Sequence, residues 1–152
     1  MRKRALRCSG LGLALLLQCL SLPSLALACV VGTGTGASCT ESALTACLPG
    51  GEFFSGTVSF NCGGTATITV TSTKTISADT TIDGGSLITI SGGNSVGVFS
   101  VNTGVQFTVQ NLTIANGNNS VSGAGGGIYS EGTLWVTNST FSGNVAAAGG
   151  GI

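Results

Sequence analysis

The stretch Phe107-Thr108-Val109-Gln110-Asn111-Leu112-Thr113-Ile114 returns 27 residues later as Leu134-Trp135-Val136-Thr137-Asn138-Ser139-Thr140-Phe141. Apolar residues coincide at 107/134, 109/136 and 114/141, Asn at 111/138 and Thr at 113/140. Apolar residues that alternate with Thr read as half-buried strand. A matched Asn suits a corner between strands, because Asn tolerates turn geometry. A second recurrence carries Gly125-Gly126-Gly127-Ile128 to Gly149-Gly150-Gly151-Ile152, 24 residues on. A fainter earlier copy runs from Ile76 to Ile82, ending 32 residues before Ile114. Unequal offsets mean that turns vary in length while strands keep their places.

Outward from this repeat, the chain is a series of short strands separated by Gly, Asn, Ser and Asp. They are Thr57–Phe60, Ala66–Thr71, Thr75–Ile76, Thr80–Ile82, Leu87–Ile90 and Val98–Val101. No window has a convincing helical period. Two or three short strands per repeat, at this period, predict an all-β parallel β-helix over residues 63–152. Each coil pairs with the next about 4.8 Å away and inward side chains stack into apolar columns. A β-sandwich is the alternative for regular short strands; direct recurrence favours the β-helix.

The 152 residues contain five Lys+Arg, five Asp+Glu and no His. Catalysis through imidazole and imidazole-bound zinc are therefore excluded. So few bases also argue against a nucleic-acid partner. Four of the bases, Arg2, Lys3, Arg4 and Arg7, precede an apolar run and then Ala26-Leu27-Ala28. That is the three-part pattern of a secretory signal over 1–28, cut between Ala28 and Cys29. The run is short for a membrane span and is interrupted by Gln18 and Pro23. A lipoprotein signal with Cys29 lipidated fits less well. After cleavage one base, Lys74, faces five acids, a net of −4.

Four cysteines remain, Cys29, Cys39, Cys47 and Cys62, all within a Cys-rich segment 29–62. An even number in an exported chain predicts disulfides, with three pairings open. The gaps do not suit a metal site. Within the segment Thr40 is a candidate N-cap for one helical turn, ended by Leu48-Pro49-Gly50-Gly51. The segment is expected to cap the open end of the solenoid.

Phe141-Ser142-Gly143-Asn144 is an FxxN motif, and Gly126-Gly127-Ile128 and Gly150-Gly151-Ile152 approach GGA[ILV]. This pair resembles the repeats of the chlamydial polymorphic outer membrane proteins. The segment GTLWVTNSTFSGN, with the N-terminal ACVVGTGTGASCT, is similar to bacterial secreted β-helix proteins with a choice-of-anchor domain. Gly127 and Gly151 stand where the motif has Ala. Ile114-Ala115-Asn116-Gly117 is a degenerate FxxN. The resemblance implies a right-handed, pectin-lyase-like solenoid in a secreted or outer-membrane protein. It implies an adhesin-like or structural passenger without catalytic activity, and further repeats and a C-terminal anchor after Ile152. The expected partner is a host or environmental surface, glycan or protein. A carbohydrate-active enzyme with catalytic coils beyond residue 152 is the alternative.

Asn111 and Asn138 begin glycosylation sequons, as does Asn118, but the matched register of the first two favours a hydrogen-bonded ladder. Asp79 and Asp83 are the closest carboxylates; both stand beside turn signals and are read as turn residues. Gly32, Gly34 and Gly36 do not complete a nucleotide-binding fingerprint, and Gly123–Gly127 lacks the Asp of calcium-binding repeats. Tight turns account for both runs. Strand alternation points Tyr129 and Trp135 outward, opposite to Ile128, Leu134 and Val136, as candidate surface contacts. No catalytic residue, cofactor or metal ligand is expected.

Overall fold

The computed structural model describes residues 28–51 and 56–152. The export signal read at 1–28 lies outside the described residues except for Ala28. The described chain is a parallel β-solenoid of about 4 turns.

The strands are β1 (Ala28–Val31), β2 (Gly56–Phe60), β3 (Ala66–Thr69), β4 (Lys74–Ile76), β5 (Thr80–Ser91) and β6 (Phe99–Val101). There follow β7 (Gln106–Ala115), β8 (Asn118–Ala124), β9 (Ile128–Ser130), β10 (Thr133–Thr137), β11 (Thr140–Ser142) and β12 (Val145–Ala148). A 3-10 turn (Gly36–Ser38) and one α-helix, α1 (Glu41–Ala46), lie between β1 and β2 among the described residues. The largest sheet has the order β1-β2-β5-β7-β10, with β3 added to β5 and β11 to β7. A second sheet runs β4-β6-β9, and β8 pairs β12.

The register makes the core. Leu134 lies opposite Phe107, Val136 opposite Val109, and Phe141 opposite Ile114, so the 27-residue repeat is one coil. Val58, Ile82 and Val109 form one buried column; Ile68, Ile90 and Ile114 form another. Across the interior the rings of Phe99 and Phe107, both 0% exposed, meet at 5.3 Å. Val136 continues its column but is 40% exposed, because no described strand lies beyond β10. Its expected inward position is thus only half covered.

The copy read from Ile76 to Ile82 is a correction. Ile82 pairs Val109 and Ile76 pairs Val101, whereas Ile90 stands opposite Ile114. Ile76 ends the coil β2-β3-β4 and Ile82 lies in the first strand of the next, so the stretch joins two coils and copies neither.

Corner length explains the unequal offsets. Between β2 and β3 the corner is 61–65; in β5 it is Gly84 to Leu87; in β7 it is Asn111 alone. Asp83 pairs Gln110 and Ile88 pairs Leu112, so the strands recover their register after the bulge. Elsewhere the spacing falls from 27, Asn118 to Val145, to 24, Ala124 to Ala148.

The GGG runs are a second correction. Gly125 has φ +69° and turns the chain, but Gly126 and Gly127 are close-stacking positions. The amide of Gly127 donates to the Gly150 carbonyl at 3.0 Å, and that of Ile128 to Gly151 at 2.9 Å. A Cβ on Gly126 would collide with the backbone of Val145 and come within 2.7 Å of the Gly150 carbonyl. Glycine therefore allows two coils to approach here.

Candidate functional site

The cap is built from the cysteine-rich segment. Thr40 accepts the amide of Ala43 at 3.2 Å and starts α1. Disulfides join Cys29 to Cys47 and Cys39 to Cys62, with Cα separations of 5.5 and 5.7 Å. The pairing left open by spacing is thus interleaved, and it straddles α1 on both sides. Lipidation of Cys29 would need the sulfur that Cys47 holds. Two disulfides place the folded chain in an oxidising environment.

Helix α1 is also tied by charge to coil 1, formed by β2, β3 and β4, on which coil 2 of β5 and β6 is stacked. Lys74 stands in register with Phe99 and, one coil further, Ile128. It occupies the head of an inward column and is buried. Its Nζ meets Glu41 Oε1 at 2.6 Å and donates to Ser72 Oγ at 3.2 Å. Glu41 also accepts the amide of Thr71 at 2.8 Å and its hydroxyl at 2.9 Å. The Lys74 hydrogen bond, then the Thr71 amide, hold the Glu41 carboxyl at about 2 against the ordinary 4.5. The folded value lies below the unfolded one, so the ionised carboxylate stabilises the fold above about pH 4.5. That contribution is lost as pH falls toward about 2. Thermal midpoints measured from pH 7 to 2 should fall in this window, and Glu41→Gln should flatten the fall while lowering the midpoint at pH 7. Equal profiles for the two chains would disprove this role of the Glu41 carboxylate.

A polar ladder runs along the corner of the largest sheet. Asn138 Nδ2 donates to Asn111 Oδ1 at 2.8 Å, and Asn111 Nδ2 donates to Asp83 Oδ1 at 2.9 Å. Asn111 and Asn138 have φ of 51° and 46°, in the left-handed region. Asp83 accepts the Gly85 amide at 3.0 Å, the Asx turn expected of it, and Gln110 Nε2 at 2.8 Å. Asn111, foremost, then Gly85 and Gln110 hold the Asp83 carboxyl below its ordinary range, against its burial. Asp79 instead accepts the Gln106 amide at 2.8 Å and caps the start of β7. Asn111→Ala loses the ladder and strains φ, and should cost about 2–3 kcal/mol. Asn111→Gly loses only the ladder and should cost about 1 kcal/mol. Urea midpoints of both variants check this ordering; the reverse order would remove the role of φ.

The motif residues meet in space. Phe141 lies above Ile114, while Asn144 accepts the Gly117 amide at 2.8 Å and donates to the Ile114 carbonyl at 3.0 Å. A Cβ on Gly127 would come within 3.1 Å of both Phe141 and Asn144 and 2.5 Å of the Gly151 carbonyl. On Gly151 it would meet nothing nearer than Phe141 Cβ at 3.6 Å. Alanine therefore fits at 151 and not at 127.

Trp135 is 59% exposed and Tyr129 38% exposed, both outward as alternation requires. They stand on different sheets and form no joint platform. The Tyr129 hydroxyl donates to Glu131 at 3.1 Å. Among the described residues no three His, Cys, Asp or Glu gather as a metal site. Lys74 and the ladder role of Asp83 were missed by sequence reasoning. Strand alternation back from buried Ile76 could have placed Lys74 inward.

The fold defines a class: a parallel β-solenoid whose first coil is closed by interleaved disulfides. No protein-family model, curated protein or solved structure matches the chain.

Proposed function

We propose that the chain is an exported surface protein, an adhesin-like or structural passenger that binds rather than catalyses. The observation that carries this is the disulfide-closed cap directly after an export-signal pattern. Disulfides need oxidising conditions, and cleavage after Ala28 would remove only the Ala28–Thr57 pair from β1. The resemblance of the FxxN and GGG[I] repeats to polymorphic outer membrane and choice-of-anchor proteins points to the bacterial cell envelope. Low charge and the commitment of Asp83, Asp79 and Glu41 to structural bonds support a non-catalytic role.

Expression of the complete gene, followed by fractionation and protease shaving of intact cells, tests the proposal. A mature chain starting at Cys29, oxidised at all four cysteines and open to protease outside, is expected. An uncut, reduced chain in the cytosol would overturn it. Release of reducing ends from polysaccharides would favour the enzyme alternative instead.

A further inference from the structure

The long corners of coils 1 and 2 leave a groove beside the bend of the largest sheet. A depression of about 410 Å³ lies between Asn61–Gly64 and Asp83–Ile88. It shares Leu87 and Ile88 with a second of about 250 Å³, which shares Ser86 and Thr113 with a third of about 220 Å³. The three follow one another along the solenoid axis, from the cap to Asn138 and Thr140.

One column of hydroxyls lines the groove. Thr67 pairs Thr89, Thr89 pairs Thr113, and Thr113 pairs Thr140, giving one threonine per coil across four coils. None of these four hydroxyls has a hydrogen-bond partner among the described residues. Other side-chain hydroxyls, such as those of Thr71 and Ser139, do. Beside the column Leu87 is 50% exposed and offers an apolar surface.

We propose that this groove binds a neutral polysaccharide lying along the solenoid axis. This rests on the non-catalytic surface role proposed above. Strands repeat about every 4.8 Å, close to the length of one sugar residue, so successive sugars meet successive threonines. Each threonine presents a hydroxyl that donates and accepts, next to a methyl group. Charge decides against an acidic polymer. The single base among the described residues, Lys74, is buried against Glu41 on the cap, and both Asp83 oxygens are occupied. Nothing in the groove would neutralise a uronate or a sulfate. A peptide strand is disfavoured too, because the backbone of these strands is already paired within the sheet.

The test is retention of the full exported chain on insoluble neutral glycans (β-glucan, chitin and mannan) against polygalacturonate and alginate. Retention by a neutral glycan is expected, and Thr89→Val with Thr113→Val should weaken it about tenfold, a loss of one or two neutral hydrogen bonds. Thr75→Val with Ser100→Ala, on the outward face of the second sheet, should leave it unchanged. No retention on any neutral glycan, preference for the acidic polymers, or equal retention by the Thr89/Thr113 variant would overturn the groove assignment. Those results would leave export and surface exposure standing. Cleavage of the bound glycan, read as reducing ends in the same samples, would instead overturn the non-catalytic role.

Discussion

Replacing Cys39 and Cys62 together by Ala should lower stability by about 3–4 kcal/mol, from the loop-closure entropy that the bond removes from the unfolded chain. The bond closes a separation of 23 residues, interleaved with the 18 of Cys29–Cys47. Both sulfurs are buried, and Cys39 lies against the Val31 carbonyl at 3.4 Å. Without it, α1 is held by one disulfide and by the Glu41 contacts to Thr71 and Lys74. The loss should be local first. Amide exchange should rise in α1 and β1, while β5 and β7, the centre of the large sheet, stay protected. Urea melts give the magnitude; an unchanged midpoint with unchanged exchange would mean that the cap contributes nothing to the folded coils.

Phe107→Ala should cost about 3–5 kcal/mol, the range for an aromatic removed from a closed core. Phe107 is 0% exposed and its ring meets Phe99 from the opposite sheet. It is the bulky member of its own column, between Thr80 and Leu134. The coils cannot collapse into the void, because parallel pairing on both sides fixes their spacing. Phe107→Leu should cost clearly less, since it refills part of the volume. The same equilibrium unfolding measurement separates the two. Equal losses would locate the cost in strand propensity and not in packing.

The parallel stacking was legible wherever one coil repeats the next without a bulge. Residues 107–110 pair with 134–137 and 113–114 with 140–141 in one register, and the aligned Asn pair at the corner forms a hydrogen bond. Legibility failed where coil length changes. The bulge at Gly84–Leu87 hid the pairing of Ile90 with Ile114 and produced a false copy at Ile76–Ile82. It failed again where a residue acts through the third dimension. Asp83 reads locally as a turn residue, which it is, but its second oxygen and its place in the ladder come from the next coil. Gly126 and Gly127 read as turn glycines, because close stacking leaves no local signature. The groove comes from differences in corner length between coils, which no single repeat displays.

The buried Lys74 gives the solenoid a direction. Along its column the residues are Lys74, Phe99 and Ile128, so an ammonium stands where the next coil outward would need an apolar side chain. With Glu41 holding that ammonium and α1 lying over it, no further coil can be threaded in at this end without stranding a charge. Gene duplication can therefore lengthen the protein only downstream of coil 1. Lineages that extend it should keep residues 28–76 as a single-copy opening segment while coils like 107–133 multiply behind it.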